Sequence, residues 1–154
     1  ILRPCMVHGP YNKGNLNLLY KFVSKGVPYP LGAFENKRSF TSIENLCFIV
    51  KECIEKDIPI GIYNTADDEP LSTNALVKLI GDVIERPSKI WKVPEKIIYV
   101  VAKVGDFLHL PLNSHRLNKL TEDYVVSNKK IKEALSIGLP VTAVDGLTKT
   151  IKSF

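Results

Sequence analysis

Residues 1–10 read ILRPCMVHGP, a short run of apolar side chains that ends at a Gly-Pro pair. A run of this length predicts a buried strand over residues 1–8 that leads into a loop. Residues 59–65, PIGIYNT, have the same character and precede a turn-rich segment. Because strands that are apolar on both faces belong to sheets covered by helices, the two stretches together predict a parallel sheet.

Helical spacing lies between and beyond these two stretches. Apolar residues recur at i, i+3, i+4 and i+7 after Asn15, a competent N-cap, and Gly26 stands where that helix would end. Ser72 is the expected N-cap of a later helix, and Pro94 the expected first residue of another. Residues 97–104 are the most apolar stretch of the chain and predict a buried helix. Alternating strands and helices predict an α/β fold.

Composition excludes several classes of protein. The chain has 154 residues, of which 45% are hydrophobic and 24% charged, as in an ordinary globular domain. No apolar run approaches the ~20 residues of a membrane span, and no secretory signal precedes the first strand. The net charge of +5 is spread along the chain rather than gathered in a patch, so no nucleic-acid partner is expected. The chain opens on Ile1 instead of Met, which suggests an excised fragment.

The three cysteines point to the cell interior. Cys5, Cys47 and Cys53 form no Cys-x-x-Cys pair and no cluster with the spacing of metal ligands, so no metal site is expected. We interpret them as reduced thiols of a cytoplasmic protein.

The motifs of common catalytic and nucleotide-binding sites are missing. The sequence contains no Gly-rich dinucleotide loop, no Walker-type phosphate loop, no Gly-x-Ser-x-Gly and no His-Glu-x-x-His. One Tyr-x-x-x-Lys pair exists, Tyr99 and Lys103, but it falls inside the apolar helix and has no Ser partner nearby in sequence. The sequence therefore predicts no nucleophile and no redox centre within these residues.

A few polar residues remain as candidates for a site. His8 follows the first strand and is expected to be a structural side chain. Arg38 and Arg116 are either surface charges or clamps for an anionic group, since Arg suits bidentate contact with phosphate. The acidic triplet at residues 67–69 precedes Pro70, and we interpret it as a solvated turn.

The order of several short motifs resembles that of the extended short-chain dehydrogenases, in the NAD-dependent epimerase/dehydratase family. Residues 2–10, LRPCMVHGP, resemble the family's LRPxxVYGP segment, with His8 in place of the usual Tyr. Further similar segments follow in the family's order across the whole chain: KGNL at 13–16, YPLG at 29–32, NKRSF at 36–40, IENL at 43–46, RLNKL at 116–120 and the closing residues 130–150. Within the family, the segments are most similar to bacterial nucleotide-sugar 4-epimerases and 4-ketoreductases.

This resemblance implies a particular architecture. Residues 1–154 would be one fragment, the C-terminal nucleotide-sugar-binding region, made of the last Rossmann strands and a small mixed α/β substrate-binding subdomain. The N-terminal half, which holds NAD or NADP and the catalytic Tyr-x-x-x-Lys pair, would lie before Ile1. No catalytic residue and no tight NAD binding are then expected in the fragment itself, although the parent protein would be an enzyme and a homodimer.

The resemblance also assigns roles by position. Asn15 and Leu16 would contact the base and ribose of a UDP-sugar, and the backbone at Leu31 and Gly32 would line the uracil pocket. Arg38 and Arg116 would clamp the diphosphate. Pro4, Cys5 and His8 would border the nicotinamide. Met6 stands where epimerases often carry an Asn that bonds the sugar, so this chain departs from the family pattern there.

The activity implied for the parent is NAD(P)-dependent hydride transfer at C4 of a UDP-hexose or UDP-N-acetylhexosamine, as epimerase or ketoreductase. The fragment alone is expected to be inactive. Two alternatives remain open: a nucleotide-sugar 4,6-dehydratase, and a non-enzymatic module of the same fold that senses a nucleotide.

Overall fold

A computed structural model describes residues 1–108 and 113–154 of the protein, with the side chain of Arg116 outside the description. In the described part, two pairs of short parallel strands are surrounded by helices, which confirms the α/β class. The elements are, in chain order, β1 Leu2–Pro4, β2 Met6–His8, α1 Asn15–Ser24, β3 Phe40–Ser42, α2 Ile43–Glu55, β4 Tyr63–Thr65, α3 Thr73–Val83, α4 Glu95–Phe107, α5 Ser114–Thr121, α6 Lys129–Leu135 and α7 Ala143–Lys152.

The N-terminal stretch forms two strands instead of one. β1 pairs in parallel with β4, whereas β2 pairs in parallel with β3. Cys5 lies between β1 and β2; its amide donates to the carbonyl of Thr65 at 3.1 Å, and its thiol lies 3.0 Å from the hydroxyl of Thr41. The predicted parallel pairing is confirmed, but the continuous strand over residues 1–8 is wrong because the chain changes partner at Cys5.

The strands are also less buried than the sequence predicted. β4 begins only at Tyr63, and residues 59 and 60 of the predicted strand are exposed. In β1, Arg3 and Pro4 are exposed. Each of these strands has one neighbour in the described part of the chain, so a single ladder and few helices cover it. Full burial of both stretches was therefore a wrong prediction.

Three of the described helices begin at a side-chain N-cap. The side chains of Ser42, Ser72 and Thr142 each accept a hydrogen bond from the amide three residues on, which begins α2, α3 and α7. α1 differs from the prediction because its N-cap is Gly14, without a side-chain bond, and Asn15 is the first helical residue. Similarly, Pro94 precedes α4 as its N-cap instead of being its first residue.

The core has two parts. The larger one joins α1, α3, α4 and α7, and the smaller one places Ile49 of α2 and Tyr63 of β4 against α6. Buried side chains of the larger part include Leu16, Val23, Phe40, Leu76, Ile80, Ile98, Leu147 and Ile151. This larger core supports the cavity described below, because Leu16, Phe40 and Leu76 contribute to both.

α4 contradicts the prediction of a buried helix. Only Ile98, Ala102 and Gly105 face the core, while apolar residues on the other side of the helix, Val101 and Val104 among them, are about half exposed. Within the described ranges, no helix has the length and apolar character needed to cross a membrane.

Candidate functional site

A cavity of about 410 Å³ lies among the helices and strands that support the larger core. It is lined largely by apolar side chains, and a few residues with hydrogen-bonding groups are placed among them. The lining residues belong to β2, α1, the segment at 29–31, β3, α3 and α5: Met6, Asn15, Leu16, Leu18, Leu19, Phe22, Tyr29, Pro30, Leu31, Arg38, Phe40, Thr73, Leu76 and Leu120. Four predicted site residues, Asn15, Leu16, Leu31 and Arg38, therefore meet at one place.

Arg38 is the only charged residue among the described residues of this lining. Its backbone is held by two hydrogen bonds of 2.9 Å to Leu71, one in each direction. The guanidinium donates from Nη2 to the carbonyl of Lys119 on α5, whereas Nε is buried and has no hydrogen-bond partner in the described part of the chain. An unpaired buried donor is costly, and Arg38 also brings a positive charge to the cavity, which favours an anionic group there.

Tyr29 and Thr73, which both carry hydroxyl groups, also line the cavity, and the sequence analysis gave neither of them a role. Burial raises the pKa of the Tyr29 phenol to about 12, although the positive charge of Arg38 and a hydrogen bond with Thr73 act in the opposite direction. Tyr29 therefore stays protonated at neutral pH and can donate a hydrogen bond, but it cannot serve as a base. The position of Thr73 could have been identified from the sequence, because Thr73 follows Ser72, the predicted N-cap of a helix.

The segment at 29–32 is fixed to the segment before α4. The amide of Tyr29 donates to Lys89 at 2.7 Å, and that of Gly32 donates to Trp91 at 3.0 Å. A Cβ on Gly32 would lie 2.6 Å from Cγ2 of Ile90 and 2.9 Å from the carbonyl oxygen of Trp91, so only glycine allows this approach. Gly32 thus supports the cavity wall, and Leu31 beside it supplies the lining side chain.

Asn15 and Leu16 lie at the start of α1, where the cavity meets the helix N-terminus. The side chain of Asn15 is exposed, and Leu16 is buried. The first amides of a helix have no partner within it, so they and the Asn15 amide offer donors to a ligand.

The residues predicted near a nicotinamide lie outside the cavity lining. Pro4 is exposed at the end of β1, and the thiol of Cys5 contacts Thr41. His8 is 2% exposed, with Nδ1 placed 2.9 Å from the hydroxyl of Thr150. A side-chain bond from Cys5 or His8 to a cofactor would first have to replace these internal contacts.

His8 belongs to a buried polar cluster centred on Asp67. The Asp67 carboxylate accepts from the amide of Ser42 at 3.0 and 3.1 Å and from Nδ2 of Asn45 at 2.7 Å, and its Oδ2 lies 3.5 Å from Nε2 of His8. Asn45 also bonds both backbone groups of Val141. The cluster therefore ties β2, β3 and α2 to the segment before α7.

The interpretation of the acidic triplet at 67–69 as a solvated turn is wrong for Asp67, whereas Asp68 and Glu69 are exposed. Asp67 is buried, Asp68 accepts from Asn128 and Lys132, and Glu69 accepts from the amide of Ala143. In the described ranges, no three His, Cys, Asp or Glu side chains come together as metal ligands.

The two remaining candidates from the sequence are Arg116 and Tyr99. The side chain of Arg116 lies outside the described residues; α5, the helix that carries it, contributes Leu120 to the cavity and the Lys119 carbonyl to Arg38. The ring of Tyr99 packs edge-on against Phe34, with ring centres 6.0 Å apart, away from the lining.

A largely apolar cavity with a few convergent polar groups and one arginine, beside parallel strands, is typical of an α/β protein that binds a small anionic molecule.

No family model matches the chain. The sequence is 31% identical to a UDP-glucose 4-epimerase of Vibrio cholerae over 156 aligned residues, which cover all of this chain and 46% of that protein. It is 26% identical to the N-acetyl-alpha-D-glucosaminyl-diphospho-ditrans,octacis-undecaprenol 4-epimerase of Escherichia coli O157:H7, over 86% of this chain and 38% of the relative.

Solved structures agree on the fold. The Bordetella bronchiseptica enzyme WbmG, solved with NAD and UDP, superposes with a TM-score of 0.66 over 99% of this chain and 41% of its own, at 16% identity. The dTDP-glucose 4,6-dehydratase of Bacillus anthracis, solved with NAD, gives 0.67 over 99% of this chain and 43% of its own, also at 16% identity.

Over its whole length the chain is therefore similar to part of UDP-sugar 4-epimerases and related NAD-bound dehydratases. It spans less than half the length of the curated relatives that it matches. The short parallel strand pairs and the partial coverage are consistent with the C-terminal portion of such a protein.

Proposed function

We propose that the chain is the nucleotide-sugar-binding portion of an NAD-dependent UDP-sugar 4-epimerase. The observation that carries the proposal is the meeting of Asn15, Leu16, Leu31 and Arg38 at one cavity, in a chain 31% identical to a UDP-glucose 4-epimerase. Residues that the family resemblance relates to one ligand are thus neighbours in space. A UDP-hexose or UDP-N-acetylhexosamine is the proposed substrate, and a ketoreductase acting at the same carbon remains within the proposal.

The chain's own residues would hold the substrate. Leu16 and Leu31 offer apolar walls to the base, and Asn15 offers an amide at a helix start. Arg38 would meet the diphosphate as the one charged residue among the described residues of the lining. The Arg116 side chain stays a proposed second clamp on the strength of the resemblance.

NAD would supply the hydride chemistry at C4 when it is bound to the whole protein. We expect no tight dinucleotide binding by these 154 residues alone, because the sequence has no glycine-rich loop and the side chains of Cys5 and His8 have internal partners. Pro4 is exposed and remains the simplest proposed neighbour of the nicotinamide. The catalytic groups are therefore proposed to lie in a preceding N-terminal half. A homodimeric whole protein and a cytoplasmic location are proposed on the same family basis.

Calorimetric titration with UDP tests the binding role of Arg38. Arg38→Ala should weaken UDP binding by about 1.5–3 kcal/mol, the usual worth of a hydrogen bond to a charged group. Arg86→Ala is the matched control, because Arg86 also donates to a backbone carbonyl, that of Ser24, but does not line the cavity. Equal affinities for the wild type and Arg38→Ala would show that Arg38 is a structural residue only.

A second substrate class has support of its own. The Escherichia coli relative is named for a sugar diphosphate carried on a polyprenyl lipid, which shares the diphosphate but lacks the nucleoside. Leu18 and Leu120 are exposed lining residues and so lie on the open side of the cavity, where they could contact an apolar chain. Competition between UDP and farnesyl diphosphate separates the two: displacement of bound UDP by farnesyl diphosphate but not by inorganic diphosphate would favour the lipid-linked substrate.

The remaining alternatives are separated by activity of the full-length protein. A 4,6-dehydratase would release water from a dTDP- or UDP-hexose, whereas an epimerase would interconvert two UDP-hexoses. A nucleotide sensor would bind UDP and turn over neither. For the 154 residues alone we expect no epimerisation. Detecting it would contradict the proposal that the catalytic groups lie in a preceding N-terminal half.

A further inference from the structure

α4 carries apolar side chains on two sides, and only one of these sides packs against the core. Ile98, Ala102 and Gly105 face the core. On the other side lie six residues that we call the α4 apolar face: Ile97, Val100, Val101, Val104, Phe107 and Leu108. Five of them recur at i, i+3, i+4, i+7 and i+11, which is the spacing of one continuous helical surface.

The exposure of this face is unusual. Its six side chains are 49% to 84% exposed, and they adjoin one another along three turns. Single exposed apolar residues are common on proteins, whereas a contiguous patch marks a surface that meets something apolar.

The positively charged residues of α4 lie beside this apolar face, and its acidic residues lie away from it. At about 100° per residue, Lys96 and Lys103 lie about 90° from the centre of the apolar face, and Glu95 and Asp106 lie on nearly the opposite side of the helix. Asp106 accepts from the amide and the hydroxyl of Ser114 at the start of α5, so its carboxylate is occupied within the protein.

The two flanking lysines are free to meet an external anion. Within the described part of the chain, neither Lys96 nor Lys103 has an ion-pair partner. α2 provides the contrast, because beside its exposed Val50 the next residue, Lys51, pairs with Glu55 at 3.8 Å. An apolar face with unpaired lysines along its edge is the pattern of helices that lie in the interface of an anionic membrane.

We propose that the α4 apolar face docks the protein onto an anionic lipid bilayer, with α4 lying in the plane of the interface. The apolar side chains enter the boundary of the acyl chains, and Lys96 and Lys103 reach the lipid phosphates. α4 has 13 residues and does not cross the bilayer. A second copy of the chain is the less favoured occupant, because it would bring the same two lysines, which are unpaired within the described part of the chain, to the edge of the contact.

Flotation of the purified protein with vesicles of phosphatidylglycerol and phosphatidylcholine tests this proposal. We expect the wild type to float with mixed vesicles and to float much less with pure phosphatidylcholine. The double variant Val100→Glu/Val104→Glu should lower the partition coefficient at least about tenfold. Both positions are exposed, so folding should survive, and circular dichroism with an unfolding curve checks it. Val50→Glu on α2 is the matched control and should float like the wild type.

A second pair of variants isolates the charge. Lys96→Ser/Lys103→Ser should lower binding to anionic vesicles by roughly tenfold, since each lysine near the surface contributes. Lys21→Ser/Lys78→Ser, which removes two exposed lysines from α1 and α3, should not.

Three results would overturn the proposal. The first is a wild type that does not float with any vesicle. The second is binding that is equal for both lipid compositions and insensitive to the α4 variants. The third is a dimer in light scattering that becomes monomeric in Val100→Glu/Val104→Glu without any vesicle binding, since a second copy would then cover the face. UDP binding is measured without lipid, so its outcome is independent of all three.

Discussion

Replacing Asp67 by alanine should destabilise the protein more than any nearby surface change. Its carboxylate is 3% exposed and accepts from the amide of Ser42 and from Asn45, with His8 at 3.5 Å. The substitution leaves at least the Ser42 amide and one amide hydrogen of Asn45 buried without an acceptor. A hydrogen bond to a charged group contributes about 1.5–3 kcal/mol, so two lost bonds predict a loss of about 3–6 kcal/mol in the free energy of unfolding.

Urea unfolding followed by circular dichroism measures this loss directly. A loss of this size is a large part of the ~5–15 kcal/mol that stabilises a typical domain, so the unfolding midpoint should move clearly to lower urea. Asp68→Ala is the matched control, because Asp68 is adjacent and its side chain is 38% exposed in a pair with Lys132. A surface pair of this kind is worth at most about 1 kcal/mol. If Asp67→Ala lowered the free energy of unfolding no more than Asp68→Ala does, the Asp67 cluster would not be the contact that holds β2, β3 and α2 together.

Two further predictions follow from individual groups. Partial burial acts to raise the pKa of Asp68, but the hydrogen bonds from Lys132 and Asn128 and the charge of Lys132 outweigh it, so the pKa lies below its ordinary value of 3.8. The ionised carboxylate therefore stabilises the fold above that value, and the stability difference between wild type and Asp68→Asn should shrink as the pH falls through the folded pKa. Burial raises the pKa of the Cys5 thiol, whereas Cys47 is exposed, so iodoacetamide should modify Cys47 first in the native protein. Equal rates at both cysteines by mass spectrometry would contradict the burial of Cys5.

The sequence predicted the class of fold and named four residues that line the cavity, but it did not predict which sides of the elements are buried. α4 carries apolar residues on two sides, so periodicity could not distinguish the side with Ile98 and Ala102 from the side with Val100 and Val104. The small residues decide it, because Ala102 and Gly105 allow close packing. The partner change at Cys5 was also invisible, since β1 and β2 together have the composition of one strand.

Polar residues were predicted best where a family pattern marked them. Arg38 and Asn15 were identified by the resemblance, and both line the cavity. Tyr29 lies in the family-like YPLG segment but was given no role there, and Thr73 lies outside the quoted segments; the importance of both depends on a contact between segments far apart in the sequence. Asp67 was misinterpreted for the same reason, because three adjacent acids normally indicate solvent, and its donors lie on β3 and α2.

The change of partner at Cys5 has a consequence for how fast the chain can fold. Leu2 must find Tyr63 and Met6 must find Phe40 before either strand pair exists, so neither pair can begin as a local hairpin. Closing such long loops costs entropy before any contact repays it. Refolding should therefore be slow for a chain of this size, in milliseconds to seconds, and helices should form before the seven residues at 2–8 join both strand pairs.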